Sequence, residues 1–87
     1  MTYQVLLTRQ AEKSFRTLSK TDQSRIRAVL DTMPHDPLAG DVVKLSGYNA
    51  YRRRVGKYCL LFTVVEDEVV ILILAISRRN ERTYKNL

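Results

Sequence analysis

Residues 48–77 constrain the fold of this chain more than any other stretch. Three extended runs follow one another there, YRRRV, YCLLFTVVE and VVILILAIS, interrupted only at Gly56-Lys57 and Asp67-Glu68. Breaks this short leave no room for a crossover and join neighbouring antiparallel strands. The pattern predicts strands over residues 48–55, 58–66 and 69–77. The last run is apolar at nearly every position, so it should be covered on both faces and lie inside the sheet.

The first half of the chain reads differently. Residues 2–7 form a short β-rich run. Thr8 is placed to cap a helix over residues 9–18, whose apolar residues Ala11, Phe15 and Leu18 recur at helical spacing. Ser19-x-x-Asp22 resembles a capping box for a second helix running to Met33. Ile26, Val29, Leu30 and Met33 repeat at i, i+3, i+4 and i+7 on that helix, and Pro34 and Pro37 stop it. Only a tight turn fits between the helices, so they should form an antiparallel hairpin. Residues 35–47 read as a loop with room for a short extended piece at Val42-Val43. The expected architecture is one α+β domain over residues 1–87, in the order β-α-α-β-β-β. An antiparallel sheet would carry the helix hairpin on one face and leave the other for function.

Charge narrows the partners. Fifteen Lys and Arg face nine Asp and Glu, a net charge of +6 on 87 residues. A small domain this basic suits nucleic acid or an acidic protein, although a solvated basic surface is the plainer reading. One cysteine excludes an internal disulfide and a Cys-rich zinc site, and it fits a reducing compartment. One histidine and no clustered carboxylate partner give no metal site, and nothing calls for a cofactor. The N-terminus lacks a secretory pattern, and the apolar run from Val69 to Ile76 falls far short of the ~18 residues that span a bilayer. A cytoplasmic protein with no membrane contact is expected.

Alternation sorts the candidate chemistry. Arg52 and Arg54 share one face of their strand with Ala50, while Tyr51, Arg53 and Val55 share the other. Two positions apart on a strand is about 6–7 Å, a spacing that suits two guanidinium groups on neighbouring phosphates. Ile73, Ala75, Ser77 and Arg79 should lie on one face of the last strand, with the small Ala75 and Ser77 leaving a hollow beside the arginines. An edge strand protected by charge is the plainer account of YRRRV, but three consecutive arginines exceed that need. His35 lies in a Pro-flanked loop and reads as solvated rather than catalytic. Cys59 reads as a small buried hydrophobe. Tyr84 lies outside the apolar periodicity and is free to stack on a base.

Taken in order, Lys44-Leu45-x-Gly47, Tyr51-Arg52-x-Arg54, Gly56-x-Tyr58, Ile76-x-Arg78-Arg79 and Tyr84 resemble the RelE/ParE superfamily of bacterial and archaeal toxins. The likeness extends over essentially the whole chain. It implies a RelE-type endoribonuclease of a type II toxin–antitoxin system, which cuts mRNA in the ribosomal A site without a metal. In that chemistry the RNA 2′-oxygen attacks the adjacent phosphorus and leaves a cyclic phosphate. By resemblance the catalytic residues are Arg52, Arg54, Arg79 and Tyr84, with Arg78 as an alternative register for Arg79. Arg53, Lys57, Arg78, Arg82 and Lys44 would add phosphate contacts. The implied partners are the ribosome, mRNA and an acidic antitoxin that wraps the toxin; operator DNA would be met only through the antitoxin.

One position departs from the RelE pattern. An arginine is expected after the tyrosine of the strand that follows Gly56, and Cys59 stands there instead. Lys57, Arg53 or Arg78 would have to supply the missing cation. If Cys59 lies on the arginine face the site lacks one charge, whereas if it is buried an arginine there would destabilise the protein. Two other implied readings stay open: a ParE-type toxin that inhibits DNA gyrase without nuclease activity, and a catalytically impaired relative that mainly binds its antitoxin.

Overall fold

The computed structural model describes residues 2–78. In chain order these form β1 (Gln4–Leu7), α1 (Arg9–Arg16), α2 (Lys20–Thr32), β2 (Val42–Lys44), β3 (Tyr51–Val55), β4 (Tyr58–Val65) and β5 (Val70–Arg78). The five strands make one sheet in the order β1-β5-β4-β3-β2. β2, β3, β4 and β5 pair antiparallel, as their short connections require.

The sheet is mixed rather than antiparallel throughout, because β1 runs parallel to β5. The helix hairpin is the crossover that returns the chain from β1 to the sheet, and such a long connection permits parallel pairing. β5 has a neighbour on each side, which accounts for its apolar sequence. A second correction concerns the strand expected over residues 48–55, which begins only at Tyr51. Before it the chain turns back on β2: the Leu45 amide donates to the Ala50 carbonyl at 3.0 Å and the Tyr48 amide to the Leu45 carbonyl at 3.3 Å. Gly47 takes φ 78° in that turn, a conformation open to glycine at little cost.

Local signals set the helices. The Thr8 hydroxyl accepts the Ala11 amide at 3.1 Å and donates to the Leu74 carbonyl at 2.9 Å. Ser19 accepts the Asp22 amide at 3.2 Å. Gln23 on α2 donates to the Phe15 carbonyl at 2.9 Å, which also accepts the Leu18 amide at 3.2 Å, and so ties the end of α1 to α2. Ala11, Ile26 and Met33 then meet Leu60, Phe62, Ile71, Ile73 and Ile76 in one buried cluster between hairpin and sheet.

The register of β4 against β5 shifts at Leu61/Phe62, which leaves Leu74 without a cross-strand partner. This bulge corrects the face assigned to Ile73. Ile73 pairs with Phe62 in the core, whereas Ala75 pairs with Leu61 and Ser77 with Cys59 on the opposite face. An extra residue reverses alternation beyond it, so simple parity counting fails across residues 73–75. The loop expected at Asp67-Glu68 is a 3-10 turn over Glu66–Glu68 closed by Val69, which sits in the left-handed region at φ 55°. No helix among the described residues is long and apolar enough to cross a membrane.

Candidate nucleic-acid interface

Arg52 and Arg54 lie half-buried on the sheet face turned away from the helices. Register places each of them in a row of small or apolar neighbours. Arg52 stands between Val43 and Leu61, with Ala75 one strand further on; Arg54 stands opposite Cys59, with Ser77 beyond. The two arginines therefore stand over a floor of mostly small and apolar side chains. A floor of this kind raises the effect of each positive charge on an anion bound over it.

The remaining cations are dispersed. Arg53 and Lys44 fall on the helix side of the sheet, through the pairs Val42–Arg53 and Lys44–Tyr51. Arg53 Nη1 donates to the Ala39 carbonyl at 2.6 Å, so this side chain clamps the loop that leads into β2. Its guanidinium lies over Gly40, where φ is 85° and an added Cβ would come within 2.5 Å of Nη1. Gly40→Ala combines a left-handed backbone with that crowding and is expected to cost about 1–2 kcal/mol. A thermal melt should register it as a clear drop in Tm, and an unchanged Tm would mean that the loop rearranges freely.

Lys57 sits in the β3–β4 turn, with Nζ 3.7 Å from Asp22 Oδ2 and 5.9 Å from the Tyr58 ring centroid. Arg78 pairs in register with Tyr58 at the far end of the sheet. Arg79, Arg82 and Tyr84 lie outside the described residues. Among the sequence-derived candidates that are described, only Arg52 and Arg54 share the face away from the helices. Residues at 44, 53 and 78 cannot join them directly, because strand alternation sends them to the helix side. His35 is exposed in its loop. Among the described residues, no three of His, Cys, Asp and Glu come together as a metal site.

Cys59 combines the two properties that the sequence left as alternatives. It pairs with Arg54 on the arginine face, and yet it is only 3% exposed. An arginine at this position would place a second guanidinium directly across from Arg54 in a covered site. Cys59→Arg is accordingly expected to lower stability by about 1–3 kcal/mol, from like-charge repulsion and desolvation together. Thermal melts of the variant check this, and a melt equal to the parent would show that the added side chain escapes to solvent.

Sequence reasoning read Asp22 only as part of a cap. It is the buried charged residue of the core region, 8% exposed, and its Oδ2 accepts the Tyr58 hydroxyl at 3.0 Å. Burial pushes the Asp22 carboxyl up, but the Tyr58 hydrogen bond, the Lys57 charge, the Ser19 hydrogen bond and the Arg25 charge together hold it below its ordinary value of 3.8. Burial and the same carboxylate raise the Tyr58 hydroxyl above its ordinary value of 10.0. A lowered carboxyl stabilises the fold above its unfolded pKa, and this contribution is lost as pH falls through the folded value. A raised phenol contributes below its unfolded pKa and loses that contribution on the alkaline side. Asp22→Asn should therefore flatten the acid limb of Tm against pH as the pH falls below the ordinary carboxyl value of 3.8. An acid limb as steep as in the parent would assign it to other carboxylates. The link ties the start of α2 to the turn that follows Arg54.

Comparison with known proteins gives a consistent neighbourhood. The family model described as the ParE toxin of the type II toxin-antitoxin system, parDE, matches residues 5–83. A curated relative from Methanocaldococcus jannaschii, named RelE1, is 29% identical over 90 residues and is matched across 99% of each chain. Among solved structures, the archaeal RelE-RelB complex from Pyrococcus horikoshii superposes with a TM-score of 0.83 at 31% identity, over 93% of this chain and 99% of that one. The intact E. coli RelBE toxin-antitoxin complex superposes with a TM-score of 0.78 at 20% identity, over 91% and 99% of the two chains. At that identity the E. coli likeness speaks for the fold alone.

Proposed function

The chain belongs to the ParE toxin family of type II toxin–antitoxin systems, within the RelE/ParE superfamily, and from that premise we propose that this toxin is a RelE-type, ribosome-dependent endoribonuclease. The observation that carries the reading is the pair Arg52 and Arg54, half-buried on one face above Leu61, Cys59, Ala75 and Ser77. Two fixed guanidinium groups a strand repeat apart match the negative charge that builds on phosphorus during internal transesterification. The RNA 2′-oxygen attacks the adjacent phosphorus, and the bond from phosphorus to the 5′-oxygen breaks. The products are a 2′,3′-cyclic phosphate and a 5′-hydroxyl. The proton lost by the 2′-hydroxyl is balanced by the proton gained at the leaving oxygen. The family resemblance adds Arg79 and Tyr84 to the same site.

The partner that restrains this activity is an antitoxin, as in the RelE-RelB complexes of similar fold. An acidic segment that orders on binding complements a chain of net charge +6. The name of the matching family favours one second reading, gyrase inhibition without RNA cleavage. Expression without antitoxin, followed by mapping of transcript 5′ ends on translating ribosomes, separates the two. Cuts at A-site codons are expected. Intact mRNA accompanied by gyrase-linked DNA breaks would establish the second reading.

A further inference from the structure

The turn between β2 and β3 carries a tyrosine with no evident packing role. Tyr3, Tyr51 and Tyr58 pack against the core cluster. Tyr48 is 54% exposed, more than Leu6, Leu38 or Val43, the other exposed large apolar side chains described. Its backbone is nevertheless fixed. The Tyr48 amide closes the turn on the Leu45 carbonyl, and the Leu45 amide pairs with the Ala50 carbonyl immediately behind it. An aromatic ring is thus presented to solvent from a hydrogen-bonded turn, with a flat face open to a partner.

Its position in the chain suggests the partner. Tyr48 is four residues before Arg52 and six before Arg54, in the turn that leads into β3. At no more than about 3.3 Å per residue, its backbone lies within roughly 13 Å of that of Arg52. Val43, 45% exposed, pairs with Arg52 across β2 and extends the apolar surface at that end. Cations for phosphates followed by an exposed ring for a base is the arrangement by which proteins hold single-stranded nucleic acid.

We propose that Tyr48 is a base-stacking subsite for single-stranded RNA, engaging a nucleotide next to the phosphates held by Arg52 and Arg54. This rests on the endoribonuclease reading above and adds a residue to it. A stacking ring accepts any base, so the subsite contributes affinity and register more than sequence choice. The phenol hydroxyl is dispensable for stacking, and phenylalanine should serve as well.

The experiment measures binding of a fluorescein-labelled hexaribonucleotide, 2′-O-methylated to prevent cleavage, to the full chain by anisotropy. Tyr48→Ala should weaken binding on the order of tenfold, and Tyr48→Phe should bind like the parent. An abasic nucleotide moved along the hexamer should lower the parent's affinity by a similar factor at one position and cost Tyr48→Ala nothing further there. Undiminished binding by Tyr48→Ala, or an abasic penalty that persists in that variant, overturns the subsite. Arg52→Ala is the control for the reading beneath it. Loss of binding in Arg52→Ala with none in Tyr48→Ala defeats the subsite alone, whereas full binding by both variants defeats the RNA reading and the subsite together. Thermal melts of Tyr48→Ala should match the parent, since an exposed ring in a turn adds little to the core.

Discussion

Arg54→Ala is expected to slow mRNA cleavage on translating ribosomes on the order of 10²–10³-fold while leaving the fold intact. The side chain stands on the face away from the helices, opposite Cys59, and takes no part in the buried cluster. Its removal therefore deletes a fixed positive charge without opening the core. Arg52→Ala should act in the same direction, because the two groups address adjacent parts of one charge distribution. Arg54→Lys is the informative intermediate: it keeps the charge but loses the planar, two-pronged donor geometry, so it should recover only part of the rate. The measurement is single-turnover cleavage on ribosomes programmed with a defined A-site codon, with circular-dichroism melts on the same samples. Full activity in both alanine variants would remove these arginines from the chemistry. A lowered Tm together with lost activity would mean that the effect is structural.

The largest stability loss should come from Phe62→Ala, about 3–5 kcal/mol. Phe62 is completely buried, and its ring stacks on Tyr51 with centroids 5.5 Å apart and planes 24° from parallel. That contact lies between β4 and β3, one residue before Arg52. Truncation leaves a cavity beneath the strand that presents both arginines. For a domain of this size, Tm should fall by roughly 4–8 °C for each kcal/mol lost. Phe62→Leu should lose less, since much of the volume is retained. Toxicity should decline with stability in this series. A Phe62→Ala protein that melted like the parent would show that the core closes over the gap.

Much of the fold was legible because its determinants are local. Thr8 and Ser19 cap the helices at the positions their spacing indicates, and Ile26 and Met33 of the α2 stripe are fully buried. Gly56-Lys57 forms the turn between β3 and β4. The common face of Arg52 and Arg54 followed from alternation alone. In each case a residue and its near neighbours in sequence contain the physical cause.

What the sequence could not determine depends on segments far apart in the chain. Parallel pairing of β1 with β5 joins residues 4–7 to residues 70–73, a choice made by the sheet edge left open once the hairpins have formed. The Leu74 bulge, whose carbonyl accepts the Thr8 hydroxyl, carried Ile73 into the core against simple parity. Arg53 reads in sequence as an added phosphate contact on the other face of its strand, and the approach of Ala39 and Gly40 makes it a clamp for a loop. Asp22 reads as a cap until Tyr58, thirty-six positions later, brings a hydroxyl to its carboxylate. Periodicity and capping are set by neighbours within a few residues, so sequence alone determined the elements and the arginine face. Burial, edge pairing and long-range hydrogen bonds arise when distant segments exclude water from each other, so the tertiary structure alone decided the sheet edge taken by β1 and which polar side chains hold the fold together.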